Sequence, residues 1–285
     1  MSAQVSRRSS LMRALDRRWR QFATGLCFVV FGVVGVVCGL TIFPAACLTT
    51  RDPRVAKRRA QWIVWRWFHL FSHLMRVVGV ISWEIHGAEK LRRRGQLIIA
   101  NHPTLIDVVL LIGYIPEVDC IVKEALFRNP FTRFPIRWAG YIGNGSGSGA
   151  PPTQLVEDCA ATLKAGNSLL IFPEGTRSVP GRPIHIPHGT ARIALEAGVP
   201  VLPVTIRCEP IMLSKHVPWH RVPERPGHYR IEVGEPADVR HYLREAPNTA
   251  IAARRLSQDW MRYFEQRRGE APGAPAGTLP AAPVA

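Results

Sequence analysis

Leu97-Ile98-Ile99-Ala100-Asn101-His102-Pro103-Thr104-Leu105-Ile106-Asp107 is the stretch whose reading decides the fold. Four consecutive apolar residues closed by polar residues and a proline are too short for a helix and read as a strand buried on both faces. Pro103 suits the first position of a helix over Thr104 to Ile112, because its missing N–H would have no partner there, and it holds His102 extended outside that helix. The alternation continues downstream. Cys120 to Val122, Ser168 to Phe172 and Val201 to Ile206 read as buried strands, with helices over Thr153 to Lys164 and Gly189 to Ala197 between them. A late strand, Tyr229 to Val233, and a final helix, Ala250 to Arg267, close the pattern. The expected class is α/β, with a mixed, partly parallel central sheet flanked by helices and an N-terminal membrane-inserting helical segment before it.

Upstream, no charged residue occurs from Gln21 to Thr50, enough helix to cross a hydrocarbon layer of roughly 30 Å. Arginines precede the run (Arg7, Arg8, Arg13, Arg17, Arg18, Arg20) and basic residues follow it (Arg51, Arg54, Lys57, Arg58, Arg59), so flanking charge assigns no orientation. Both a full span and a re-entrant hairpin, its two ends against one anionic leaflet, fit this pattern. A cleaved leader does not fit well, because the run is too long and Pro44 stands near the candidate cleavage site. Ala60 to Val80, rich in Trp, Phe and Leu but broken by Arg66, His69, His73 and Arg76, reads either as an interfacial helix or as an ordinary buried one. The expected organisation is a basic arm (1–20), a transmembrane or re-entrant helix (21–50), an interfacial helix (51–80), one catalytic domain (81–268) and a disordered Ala/Pro tail (269–285).

The 285 residues carry a formal net charge of +16, which favours polyanionic partners: nucleic acid, an anionic membrane or an acidic carrier. Eleven of the 37 Lys and Arg residues lie in 1–20 and 51–59, beside the apolar run, a distribution that favours the membrane and argues against nucleic acid. Six cysteines at 27, 38, 47, 120, 159 and 208 form no Cys-x-x-Cys pair, so neither a zinc cluster nor a disulfide framework is expected, and a reducing location fits.

His102 and Asp107 are five residues apart. On one continuous helix they would face directions about 140° apart, so their meeting requires His102 to stand outside the helix and fold back over its first turn. A carboxylate on one imidazole nitrogen fixes the tautomer and raises the basicity of the other, the arrangement of a serine-protease triad without the serine. The nucleophile would then be a substrate hydroxyl. By itself this spacing is a weak signal. A second block, Phe172-Pro173-Glu174-Gly175-Thr176-Arg177-Ser178, ends an apolar strand in a turn whose guanidinium and backbone N–H groups suit a phosphate.

Asn-His-x4-Asp, followed some 65 residues later by Phe-Pro-Glu-Gly-Thr-Arg-Ser and then by Val199-Pro200-Val201-Leu202-Pro203-Val204, resembles the glycerolphosphate acyltransferase superfamily, most nearly the bacterial 1-acylglycerol-3-phosphate acyltransferases. The resemblance runs from about Ile81 to Ile206. It implies an acyl-CoA or acyl-carrier-protein donor, a lyso-lipid hydroxyl as acceptor, membrane lipids as surroundings, no metal, and no cofactor beyond the thioester co-substrate. It implies His102 as the catalytic base and Asp107 as its orienter. Asn101, Lys123, Asn144, Glu174, Gly175, Thr176 and Arg177 would then contribute to substrate binding. It further implies the inner (cytoplasmic) membrane, with the catalytic domain facing the cytoplasm. One departure stands out: where the family commonly has Ile-x-Arg, this chain reads Ile142-Gly143-Asn144, which brings hydrogen bonds but no charge to the acceptor. An acceptor without a phosphomonoester, such as a lyso-ornithine lipid or a specialised lipid or pigment hydroxyl, is the alternative, and a non-catalytic lipid-binding scaffold is a further one.

Overall fold

A computed structural model of the chain describes residues 2–145 and 151–269. The Gly-Ser run from Ser146 and the tail after Gly269 fall outside the described residues. The N-terminal region is three helices: α1 (Ser2–Leu40), α2 (Ile42–Cys47) and α3 (Pro53–Val77). The basic arm and most of the apolar run therefore form one helix, and the run is interrupted at Thr41. Pro44 has no N–H to give the carbonyl of Leu40, where α1 stops. Asp52 starts α3, its side chain accepting from the Arg54 N–H at 2.8 Å, with Pro53 at the first helical position.

The sheet follows. In chain order the elements are β1 (Ile81–His86), β2 (Leu97–Ala100), α4 (Asp107–Ile112), β3 (Asp119–Val122), α5 (Ala125–Arg128), α6 (Arg133–Trp138), β4 (Ile142–Gly143), α7 (Pro152–Lys164), β5 (Leu169–Ile171), α8 (His188–Ala197), β6 (Val201–Glu209), β7 (Gly227–Val233), α9 (His241–Glu245) and α10 (Thr249–Gly269). The strands lie in the order β1-β7-β6-β2-β5-β3-β4. The five from β6 to β4 are parallel, β7 is antiparallel to β6, and β1 pairs parallel with β7. This is the mixed sheet expected from the alternation. β2 sits at its centre with all four residues buried. Ile98 and Ala100 face a core shared with α3 and α4, while Leu97 and Ile99 face one shared with α7, α8 and α10. A strand covered on both faces must be apolar at every position, which is why Leu97 to Ala100 shows no alternation.

β1 and β4 were not anticipated as strands. β4 is two residues long, and β1 carries Glu84 and His86 towards solvent at the sheet edge, so neither produces a run of apolar residues. The helix expected over Thr104 to Ile112 begins only at Asp107, and Pro103 is not its first residue. The N–H groups of this first turn, which would have no partner inside a helix, are met from outside it: Thr104 donates to Asp107 Oδ2 at 2.7 Å and Leu105 to the carbonyl of Leu213 at 3.1 Å.

α1 is packed along the domain. Gly35 and Gly39 permit the approach, since a Cβ added at either would lie 2.6 Å from the Phe131 carbonyl oxygen or 2.4 Å from the Phe134 Cβ. Polar contacts reinforce it: Arg20 donates to the Glu224 carbonyl and Gln21 to that of His220. The opposite face exposes Leu15, Trp19, Phe22, Leu26, Val29, Val33, Val37 and Leu40, a stripe at helical spacing. By length and apolarity, Met12–Leu40 could cross a membrane.

α3 is tied to the sheet by a buried carboxylate. Asp119, fully buried at the start of β3, accepts from Lys57 Nζ (2.7 Å to Oδ1, 2.9 Å to Oδ2) and from Gln61 Nε2 at 2.9 Å. Burial pushes its carboxyl upward, and Lys57 and Gln61 act against that shift. Lys57→Met should therefore lower stability in a denaturant titration by about 3 kcal/mol, because it strands the carboxylate, and adding Asp119→Leu should recover part of the loss by removing the stranded charge.

Candidate active site

The site lies at the carboxyl ends of the parallel strands. The connection leaving β2 turns to α4 on one face of the sheet, and the one leaving β5 turns to α8 on the other. Diverging connections at adjacent strands mark the place where folds of this kind hold their ligands. His102 leaves the end of β2 in extended loop, and its Nδ1 lies 2.8 Å from Asp107 Oδ2. An ionised carboxylate only accepts, so this contact makes Nδ1 the protonated nitrogen and leaves Nε2 with a lone pair. Asp107 is completely buried, whereas the His102 side chain keeps 15% of its surface, so the ring joins a sealed carboxylate to an accessible edge.

Asp107 and His102 thus meet as anticipated, but through a different backbone. The first turn of helix is absent. Thr104 instead gives Asp107 two further donors, its N–H to Oδ2 at 2.7 Å and its hydroxyl to Oδ1 at 2.6 Å. Thr104-Leu105-Ile106-Asp107 has the Ser/Thr-x-x-acid spacing of a capping box, and that spacing is the signal that could have found Thr104 beforehand. Phe172 stacks on the His102 ring, with centroids 4.2 Å apart and planes 30° from parallel, which fixes the plane in which Nε2 points.

The Phe172–Ser178 turn grips the backbone of His102 from both sides. Glu174 Oε1 accepts from the His102 N–H at 3.1 Å, and the Ser178 N–H donates to the His102 carbonyl at 2.7 Å. The Ser178 hydroxyl donates to the same Glu174 oxygen at 2.7 Å. Gly175 turns the chain at φ +65°, a conformation that L side chains rarely adopt. Arg177 reaches back to the segment after β6, its Nη1 donating to the carbonyls of Leu213 (2.9 Å) and Ser214 (3.2 Å). Thr176 is partly exposed in the same turn.

The remaining expected residues are divided. Asn101 is buried and uses both amide atoms on one partner: Nδ2 donates to the Ile206 carbonyl at 2.8 Å and Oδ1 accepts from the Ile206 N–H at 2.7 Å. Placed this way, Asn101 joins β2 to β6 just before His102, with one N–H and one lone pair of its amide spent on that link. Lys123 and Asn144 follow β3 and β4, on the same rim of the sheet. At the usual strand spacing they stand two and three strands from His102, roughly 10 and 14 Å away. Lys123 is exposed, and Asn144 Oδ1 accepts from the Glu124 N–H at 3.2 Å.

Burial raises the Glu174 carboxyl above its ordinary value, opposed by the bonds from Ser178 and His102. A carboxyl raised in the folded state contributes stability below its unfolded pKa of about 4.3 that is lost as pH climbs through the raised value. In pH-dependent unfolding, Glu174→Gln should therefore gain on the wild type as pH rises across that window.

Residues 82–207 match the family described as Acyltransferase. The chain is 29% identical over 149 residues to a 1-acyl-sn-glycerol-3-phosphate acyltransferase of Pseudomonas aeruginosa, covering 52% of this chain and 58% of that protein. It is 29% identical over 183 residues to the protein of the same name from Saccharomyces cerevisiae, covering 62% and 58%. The chain thus spans little more than half the length of these curated relatives. Among solved structures, the 1-acyl-sn-glycerophosphate (LPA) acyltransferase PlsC of Thermotoga maritima superposes with a TM-score of 0.67 over 90% of this chain and 99% of that one. At 21% identity that likeness is one of fold. The His-Asp pair and the Glu-Gly-Thr-Arg turn both lie inside the span, residues 82–207, that matches the Acyltransferase family.

Proposed function

We propose that this protein is a membrane-associated O-acyltransferase that moves a fatty acyl group from a thioester of CoA or acyl-carrier protein to the hydroxyl of 1-acylglycerol-3-phosphate or a related lyso-lipid, in phospholipid biosynthesis. The observation that carries the reading is the 2.8 Å contact between His102 Nδ1 and the buried Asp107 carboxylate, with Nε2 on the accessible edge of the ring. In the reaction His102 Nε2 takes the acceptor's hydroxyl proton as the oxygen attacks the thioester carbonyl carbon. The C–S bond breaks, and the proton passes to the departing sulfur as the free thiol. The ester forms without an acyl-enzyme, and Asp107 keeps its negative charge opposite the transient imidazolium.

The relatives' names support lysophosphatidate as the acceptor. Arg177 bears on that choice. One of its terminal nitrogens is held by the carbonyls of Leu213 and Ser214, and Asn144 adds no charge, so an acceptor without a phosphomonoester, such as a lyso-ornithine lipid, is the second reading. For location, the outward apolar stripe of α1 supports insertion into lipid while its glycine face stays on the domain. Anionic lipid would hold the flanking arginines. All six cysteines are free thiols, which agrees with a catalytic domain on the cytoplasmic side of the inner membrane, where thioester donors are found.

Membranes bearing the wild type should transfer labelled acyl groups from acyl-CoA or acyl-carrier protein to at least one member of a lyso-lipid panel, and His102→Ala should lower that rate by ~10²–10⁴-fold. Transfer that survives in His102→Ala would overturn the mechanism, and absence of transfer to every acceptor would favour the scaffold. Preference for lysophosphatidate over lyso-lipids lacking the phosphate decides between the two acceptor readings.

A further inference from the structure

Tyr229 lies on β7, 125 residues after Thr104 and beyond the matched family span, yet its hydroxyl is 3.0 Å from Thr104 Oγ1 and fully buried beside the site. The direction of that bond follows from the other contacts of Thr104. The threonine has one hydroxyl proton, and Asp107 Oδ1, 2.6 Å away, can only accept it. Thr104 Oγ1 must therefore accept from Tyr229, as it also accepts from the Ile106 N–H at 3.2 Å. One donation and two acceptances leave the oxygen no freedom to turn. The order of donation is Tyr229 to Thr104, Thr104 to Asp107, with His102 Nδ1–H completing the carboxylate.

We infer that Tyr229 is a positioning residue for acyl transfer, aligning through Thr104 the carboxylate that orients His102. The inference rests on His102 being the base. Its physical content is polarisation: a hydroxyl that accepts from Tyr229 is a stronger donor to Asp107 than one left alone. The other titratable or charged groups facing the pair are Glu174 from the turn after β5 and Cys208 from β6, with Arg268 of α10 acting on Glu174. Burial pushes the Tyr229 phenol well above its usual range and Cys208 to about 11, so both stay protonated through neutral pH. Glu174 is common to the wild type and the variants compared, so its titration cancels in the difference.

The test is the pH dependence of kcat/KM for the full chain in membranes, using the acyl donor and acceptor found active. Tyr229→Phe keeps the ring and loses the donor. It should lower kcat about 3–10-fold with KM nearly unchanged. It should also move the acidic limb to higher pH by about 0.3–0.5 unit, because a carboxylate with a weaker donor holds the imidazolium proton more tightly. Thr104→Val should shift the limb further in the same direction, Thr104→Ser should restore it, and the Tyr229→Phe/Thr104→Val double variant should match Thr104→Val alone. A limb that stays at the wild-type position in Tyr229→Phe, whatever happens to folding stability, overturns the inference. Additive effects in the double variant do the same. Full activity in His102→Ala would instead remove the base itself, a result separable from either.

Discussion

Asp107 carries a carboxylate with no access to water, and such a charge is tolerated only where donors surround it. Three donors do so here: the Thr104 N–H, the Thr104 hydroxyl and the His102 ring. Each binds the chain in a particular shape. The Thr104 N–H is held by the Asp107 carboxylate, α4 starts at Asp107, and residues 101–106 form an irregular connection out of β2. The imidazole is drawn over that connection, its other nitrogen facing outward. Satisfying one buried charge thereby leaves the imidazole in the geometry a general base needs.

Supporting that loop takes contributions from three strands. Asn101 joins it to β6, Glu174 and Ser178 hold both backbone groups of His102 from the end of β5, and Tyr229 reaches Thr104 from β7. Hydrogen bonds of this kind are individually modest, near 1 kcal/mol each, but they are directional and share partners, so together they restrict where Nε2 points more than they add to stability. Arg177 extends the linkage to Leu213 and Ser214, in the same β6–β7 connection whose Trp219 meets Gly25 of α1. The apolar helix and the polar turn are therefore joined by one segment.

What was legible beforehand had a local physical cause. A strand covered on both faces is apolar at every position, so β2, β5 and β6 stood out, and glycine, proline and a cluster of polar residues marked the turns that form the candidate site. β1 and β4 left no such trace, one being half exposed and the other two residues long. The start of α4 was misplaced by about one turn, because the contacts that shape Thr104 to Ile106, to the Asp107 carboxylate and to the carbonyl of Leu213, are not written in neighbouring residues. Asn101 shows the same limit. The resemblance implied a part in substrate binding for it, and its link to a strand more than a hundred residues later could not be read from its neighbours.

The sequence by itself determined the α/β class, the identities of the His-Asp pair and the Glu-Gly-Thr-Arg turn, and an apolar helix at the start, because each is written in the type and spacing of neighbouring residues. Only the tertiary structure decided that the turn after β5 clasps the loop after β2, that α1 lies along the domain by a glycine face, and that Tyr229 stands behind the carboxylate. Those are contacts between residues 59 to 204 positions apart. Such contacts depend on strand order and on which faces are covered, and strand order follows from the packing of the whole sheet, not from any one segment of the chain.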